Sequence, residues 1–372
     1  MHILFAIHSL SGGGAERVTT TLANYWADKG WRVTVVTIVG KDSDFYVLDD
    51  RINHIALDLV VPPSATILHA VYHNLVRVRA LRAVLRSEKP DVAIAMMVTA
   101  NALLALAGTG LGIELFGSER NYPPAEQIGP VWEKIRRWTY PRLSMLVAQT
   151  AECSDWLRKN TAARNIAVIP NPVNHPIAAQ EPRVSPDAEL EKSGCDHTLL
   201  AVGRLAEQKG FDRLIAAFAS ISRKYPRWDL VILGEGDLRD ALETQASDLE
   251  VSERVHMPGL VGNVGDWFES ADIYVLSSRY EGFPNTLLEA LAYGLPAVAI
   301  DCDAGPRDIL SHTVDGLLVR QDDPEALVSA LEQLMSDSEM RRRFGGRAQE
   351  VLKRYSLVQV ATMWEDLFRR DI

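Results

Sequence analysis

The chain has 372 residues, 47% of them hydrophobic and 24% charged, with a formal net charge of −10. That length is too great for one core and suits two domains, and the apolar fraction is that of a globular rather than a disordered protein. The acidic balance excludes a nucleic-acid binder that works through overall charge. The three cysteines, Cys153, Cys195 and Cys302, form neither a disulfide framework nor a metal spacing.

The opening run Met1-His2-Ile3-Leu4-Phe5-Ala6-Ile7 has strand length and lacks the basic lead and small-residue cleavage site of a signal peptide. No stretch reaches the length of a membrane span, so the expectation is a cytoplasmic protein, free or resting on a membrane surface. His8, at the end of this strand, is either structural or a candidate ligand-binding residue. A glycine loop with Gly13 and Gly14 follows, then a helix to Lys29 that stops at Gly30, and a second strand from Trp31 to Val39. In such a unit the glycines let backbone come close to a ligand at a helix N-terminus. As a dinucleotide fingerprint it fails, because Arg17 stands where the third glycine belongs and Ile38-Val39-Gly40-Lys41 lacks the ribose-binding acid.

Residues 68–87 have amphipathic helical spacing, with Val71, Leu75, Val78, Leu81 and Leu85 on one face and Arg79, Arg82 and Arg86 along one edge. Two readings are open: a helix packed on the sheet with its arginines in water, or a cationic stripe that meets anionic lipid heads or a lipid-linked pyrophosphate. Trp132 to Arg142 repeats the mixture of basic and aromatic residues. Pro90 to Ala95 and Met145 to Ala148 read as short strands. Between them lies the polar cluster Phe116-Gly117-Ser118-Glu119-Arg120-Asn121, in which Glu119 or Arg120 either lines a binding site or the two pair with each other. Ile166 to Val173 closes a first domain over residues 1–173. The proline-rich, aperiodic residues 174–197 read as a linker.

A second domain over residues 198–345 starts afresh with a strand from Thr198 to Val202. Arg204 and Lys209 then emerge at its carboxyl end, where open α/β sheets bind ligands. Two fixed cations there suit a pyrophosphate, although exposed loop charges would look the same. A strand from Asp229 to Leu233 leads to Gly234-Glu235-Gly236, and Val255-His256-Met257-Pro258-Gly259 follows. The apolar strand Asp272 to Ser278 runs into Tyr280-Glu281-Gly282-Phe283-Pro284-Asn285-Thr286-Leu287-Leu288-Glu289, with Gly294 and Pro296 ending the helix. Asn285 or Thr286 is expected to cap that helix, with free N–H groups at Asn285 to Leu288 for a phosphate. A carboxylate at Glu281, between an apolar strand and a Gly-Phe-Pro turn, needs a polar partner. Glu289 is explained equally well as a ligand or as the acid of a Thr286-x-x-Glu289 capping box in the helix's first turn.

The segment from Glu281 to Pro296 resembles the signature of the retaining, nucleotide-sugar-dependent glycosyltransferases of the GT-B fold (family 4, group 1). Gly203-Arg204-Leu205-x-x-x-Lys209-Gly210 is similar to that family's phosphate-binding motif, and Gly13-Gly14-Ala15-Glu16-Arg17 to openings found in it. The resemblance covers nearly the whole chain and is strongest from Leu199 to Leu318. It implies an α/β architecture of two Rossmann-like domains facing across a cleft, with a final helix in residues 346–372 crossing back to the first. It further implies that Glu281 faces the donor sugar, that Glu289 binds the ribose, that Arg204 and Lys209 hold the donor phosphates, and that the loops of Glu235 and Met257 border the base. Gly13, Gly14, Asn285, Thr286 and Leu287 join the donor site. Many relatives carry a histidine in the 116–121 segment that touches the donor sugar; Ser-Glu-Arg-Asn stands here instead, so that role is not carried over. Asp301-x-Asp303 mimics the metal pair of the other glycosyltransferase fold but lies outside its context, and no metal or other cofactor is expected.

The implied reaction is metal-independent transfer of an N-acetylhexosamine or hexose, with retained configuration, from a UDP-sugar. The implied acceptor is a polyprenyl-pyrophosphate-linked glycan, handled at the inner face of the cell membrane. A soluble acceptor, or a nucleotide-sugar epimerase of the same fold, is the alternative. The epimerase would share the phosphate cations but not the Glu281-to-Pro296 segment.

Overall fold

The computed structural model of the protein describes residues 1–60, 67–126, 128–191 and 194–369. The chain divides into two compact units, one of residues 1–172 with 357–372 and one of residues 173–356.

The first unit contains β1 (His2–Ile7), α1 (Gly14–Asp28), β2 (Arg32–Thr37), β3 (Asn53–Ala56), α2 (Ile67–Glu88), β4 (Val92–Met96), α3 (Val98–Gly108), β5 (Glu114–Ser118), α4 (Gly129–Thr139), β6 (Met145–Ala148), α5 (Ala151–Asn160) and β7 (Ile166–Val168). Among the described residues these strands make a seven-stranded sheet in the order β3-β2-β1-β4-β5-β6-β7, parallel throughout. Strand order reverses between β1 and β4, which sets the carboxyl ends of those strands at a topological switch point. Both sheet faces are covered, so β4 and residues 3–7 of β1 are continuously apolar rather than alternating. Ile3, Phe5 and Ile7 join one apolar cluster, and Leu4 and Ala6 the other.

The second unit contains α6 (Pro186–Leu190), β8 (His197–Val202), α7 (Phe211–Ser222), β9 (Trp228–Leu233), α8 (Arg239–Asp248), β10 (Val255–Gly259), α9 (Val264–Ser270) and β11 (Ile273–Leu276). It continues with α10 (Asn285–Ala292), β12 (Ala297–Asp301), α11 (Pro306–Ile309), β13 (Gly316–Arg320), α12 (Pro324–Ser336), α13 (Ser338–Ala348) and α14 (Val351–Arg354). Its six-stranded parallel sheet runs β10-β9-β8-β11-β12-β13, with the switch point between β8 and β11.

The stretch expected to be a linker, residues 174–197, is bonded to the second unit. Gln180 N–H donates to Gly262 O at 3.0 Å, Val184 N–H to Asn263 Oδ1 at 3.0 Å, and the Trp267 indole to Val184 O at 3.1 Å. Irregular main-chain bonding of this kind leaves no periodic trace in sequence, which is why the stretch read as a linker. The last helix, α15 (Leu357–Phe368), lies in the first unit. It buries Val360, Ala361, Trp364 and Leu367 in the cluster of Phe5 and Trp26, and its Glu365 accepts from Trp26 Nε1 at 3.1 Å and from Lys29 Nζ at 2.7 Å. No described helix is long and apolar enough to cross a membrane.

Candidate functional site

In the second unit the loop after β8 and the loop after β11 lie against each other at the switch point. Gly210 makes this possible: its φ is +64°, and a Cβ there would stand 2.2 Å from Ser277 O. Ser277 Oγ donates to Lys209 O at 2.8 Å, and Arg213 Nε to Ser277 O at 2.7 Å. Arg279 donates its N–H to Gln208 O at 2.7 Å. Its guanidinium grips Asp212 in two bonds of 2.8 and 2.6 Å, a fork geometry that holds the Asp212 carboxyl below its usual range. These ties bring Lys209 Nζ to 2.7 Å from Glu281 Oε1, where Ser278 Oγ donates as well at 2.6 Å. Glu281 is 5% exposed, and its Oε2 makes no hydrogen bond among the described residues. Arg204, on the same loop as Lys209, is exposed and has no ion pair among the described residues.

The helix after Glu281 corrects three expectations. Its N-cap is Pro284, whose ring has no acceptor to cap with, and the Thr286 hydroxyl, already inside the helix, meets the Tyr274 hydroxyl at 2.6 Å. The capping box is therefore not formed, and Glu289 lies in the second turn of α10, 2% exposed. The four open donors are also fewer than expected, since Leu287 and Leu288 both give their N–H to Pro284 O, at 3.1 and 3.2 Å. The neighbouring loops are laced by Arg239. It holds Glu235 at 2.6 and 2.9 Å and donates to Met257 O at 3.1 Å, keeping the Glu235 carboxyl below its usual range. Sequence reading missed Arg239, Arg213, Arg279 and Asp212. Only the i, i+4 spacing of Glu235 and Arg239 carried a signal.

In the first unit, Gly13 caps α1 and Gly14 begins it. The space a Cβ of Gly13 would need is taken by Glu16, whose Oε2 would be 2.2 Å away. His8 is exposed at the carboxyl end of β1, and its partial enclosure and then Arg77 hold its imidazole below the usual range. Arg79 and Arg86 are exposed, but Arg82 donates to Ala107 O at 2.6 Å and Thr109 O at 2.8 Å, closing the end of α3. The apolar face of α2 is buried only in its second half: Leu81 and Leu85 are in the core, whereas Val71 and Leu75 are 51% and 48% exposed.

Glu119 and Arg120 are both buried and do not pair with each other. Glu119 accepts from the Tyr140 hydroxyl and lies 3.5 Å from Arg136 Nε. Burial pushes its carboxyl up to about 7 against the pull of Arg136. Arg120 donates to Asn171 Oδ1, and burial without a counter-ion pulls it down to about 9. Asp301 is bonded to Arg307 at 2.9 Å, and no described group of three or more His, Cys, Asp or Glu residues is placed to hold a metal.

Two family models match the chain: "Glycosyltransferase Family 4" over residues 12–175 and "Glycosyl transferases group 1" over residues 187–351. The Campylobacter jejuni GalNAc-alpha-(1->4)-GalNAc-alpha-(1->3)-diNAcBac-PP-undecaprenol alpha-1,4-N-acetyl-D-galactosaminyltransferase is 28% identical over 98% of this chain and 97% of its own. Among solved structures, the sucrose-phosphate synthase of Thermosynechococcus elongatus superposes with a TM-score of 0.85, at 18% identity over 99% of this chain and 98% of that one. Anabaena HepE, solved in complex with UDP-glucose, superposes with a TM-score of 0.77, at 17% identity over 99% of both chains. With a family 4 match in its first half, a group 1 match in its second and two parallel α/β units, the chain belongs to the glycosyltransferases of the GT-B fold.

Proposed function

We propose that this glycosyltransferase moves an N-acetylhexosamine or hexose from a UDP-sugar to a polyprenyl-diphosphate-linked glycan. In this reading the anomeric configuration is retained, no metal takes part, and the product enters polysaccharide or glycoprotein glycan assembly. The observation that carries the reading is the contact of Lys209 with Glu281 beside the exposed Arg204. Arg204 and Lys209 would neutralise the departing diphosphate, as two fixed cations can where charge develops. The C1–phosphate oxygen bond breaks through an oxocarbenium-like state. The acceptor hydroxyl forms its bond to C1 on the same face, and its proton passes to the leaving phosphate oxygen. Glu281, fixed through Oε1, has Oε2 available for a donor-sugar hydroxyl. Glu289 would take the ribose, and the loops joined by Arg239 would border the base.

The acceptor reading draws support from the Campylobacter relative, whose name specifies an undecaprenol diphosphate acceptor, and the donor reading from the UDP-glucose complex of the HepE structure. A place on the cytoplasmic face of the membrane is supported by the exposed Val71, Tyr72 and Leu75 of α2 and Val131 and Trp138 of α4, alongside exposed arginines and lysine. The test is a screen of UDP-sugars against lipid-linked and soluble acceptors, read by mass spectrometry, with the anomeric configuration read by NMR and the assay repeated with a chelator. Transfer to the lipid-linked acceptor, retained and chelator-resistant, is expected. An epimerised donor without transfer, an inverted product or loss of activity with chelator would each overturn the corresponding part.

A further inference from the structure

Lys209 stands on a turn that its own strand does not hold. The ladder between β8 and β11 ends at Leu200 and Tyr274 among the described residues. Past β8 the chain first turns the other way: Gly203 N–H donates to Leu233 O and Leu205 N–H to Glu235 O, both at 2.9 Å, which ties it to the loop after β9. It comes back toward β11 as a single turn of 3-10 helix over Glu207–Lys209, whose few and poorly aligned bonds cannot fix its direction. The loop after β11 fixes it instead. Each of the turn's three carbonyls accepts a bond from that loop: Glu207 O from Arg279 Nη1 at 2.8 Å, Gln208 O from the Arg279 N–H at 2.7 Å and Lys209 O from Ser277 Oγ at 2.8 Å. Gln208 returns a bond through its side-chain amide, which donates to Tyr280 O at 3.1 Å.

Arg279 supplies two of those three bonds, and it is itself anchored by the forked contact with Asp212. Asp212 lies in the first turn of α7, where a carboxylate also faces the positive end of the helix. It screens the corner as well. Burial, and then the charge of Arg279, hold the neighbouring Arg213 below its usual range, and Asp212 opposes them. Without that carboxylate two guanidiniums would repel each other beside Ser277 O, the acceptor of Arg213 Nε. Among the described residues, no bond from the Arg279 or Asp212 side chain goes to the side chain of Lys209 or Glu281. The pair acts on the main chain just before Lys209 and two residues before Glu281. Its side chains are 32% and 44% exposed, and ion pairs that open to water add little stability. Losing it should therefore be felt in alignment more than in folding.

We propose that Arg279 and Asp212 are positioning residues for the transfer, fixing the turn of Lys209 so that its ammonium is already aligned beside Glu281 when a diphosphate arrives. The proposal rests on the transferase reading above and adds the pair that holds its lysine in place. The tests use the full chain, UDP, and the UDP-sugar and acceptor found by the screen. Arg279→Ala and Asp212→Ala are each expected to lower kcat about tenfold, since a misplacement of about 1 Å can cost up to about a hundredfold. The donor KM should rise no more than about threefold. Arg279→Lys keeps the charge without the fork and should stay within about twofold of Arg279→Ala. The deciding readout is a cycle with Lys209→Ala. In that background either variant should lower kcat by less than about twofold further, because the lysine it aligned is gone. Calorimetry with UDP should agree: binding about threefold weaker for Arg279→Ala, about fivefold for Lys209→Ala and still about fivefold for both together. Should Arg279→Ala fail to fold, Asp212→Ala and Arg279→Lys take its place, and where Lys209→Ala is too slow to time, the UDP cycle decides. Wild-type kcat in the folded variants overturns the proposal, as do losses that multiply with that of Lys209→Ala. If the wild type binds UDP but transfers to no acceptor, the transferase reading fails instead, and the UDP cycle alone judges the pair.

Discussion

Glu281 receives Lys209 and Ser278 on one carboxylate oxygen, which fixes its direction before any ligand arrives. Glu281→Ala is therefore expected to abolish transfer while UDP affinity, measured by calorimetry, changes by less than about tenfold; wild-type turnover in that variant would refute the role. Glu119 makes a different prediction. Its carboxyl is pushed up to about 7 from 4.5 by burial, so between those values the folded chain holds a proton that the unfolded chain has released. Stability from this group is full below the unfolded value and falls as pH rises through the folded one, by a few kcal/mol in all. Glu119→Gln should flatten the decline of melting temperature between about pH 5 and pH 7 relative to wild type; parallel curves would contradict this. The sequence pointed to Glu281 because a carboxylate after an apolar strand has no bland explanation. It did not find the partners of Glu119, because Tyr140 and Arg136 lie on a helix and turn whose approach no local pattern announces.

At the scale of elements, the strands were readable because fully buried parallel strands are continuous apolar runs between glycine and proline signals. Caps and clamps were not. The capping box of Thr286 and Glu289 fits the local motif but loses to a tertiary partner, Tyr274, twelve residues earlier. The grip of Arg279 on Asp212 spans 67 residues and leaves no signature in spacing. Helix α2 divides in the same manner: its second half is a core helix and its first half an uncovered apolar face. Arg79→Ala with Arg86→Ala is expected to weaken binding to vesicles containing anionic lipid by about thirtyfold, at roughly 1 kcal/mol per charge near the surface, without lowering the melting temperature. Arg82→Ala should instead lower the melting temperature, because it uncovers the last carbonyls of α3. Unchanged vesicle binding in the double variant would make the stripe a solvated face.

Across the whole molecule, the first unit is assembled from two separated pieces of chain, residues 1–172 and 357–372, while the second is continuous. Trp364 is 1% exposed among Phe5, Trp26 and Phe116, so Trp364→Ala should cost about 3–5 kcal/mol in urea unfolding, and a cost below about 1 kcal/mol would show that α15 is dispensable. This division also sets an order of events on the ribosome. The amino-terminal sheet emerges first, yet the part of one face that α15 covers, beside α1, stays open until residues 357–368 have been made, so the second unit, translated in between, has all its pieces earlier. At roughly 5–20 residues per second the exposed aromatic face persists for ten seconds or more. During that interval chaperones have a surface to hold, and truncated nascent chains are at their most prone to aggregate.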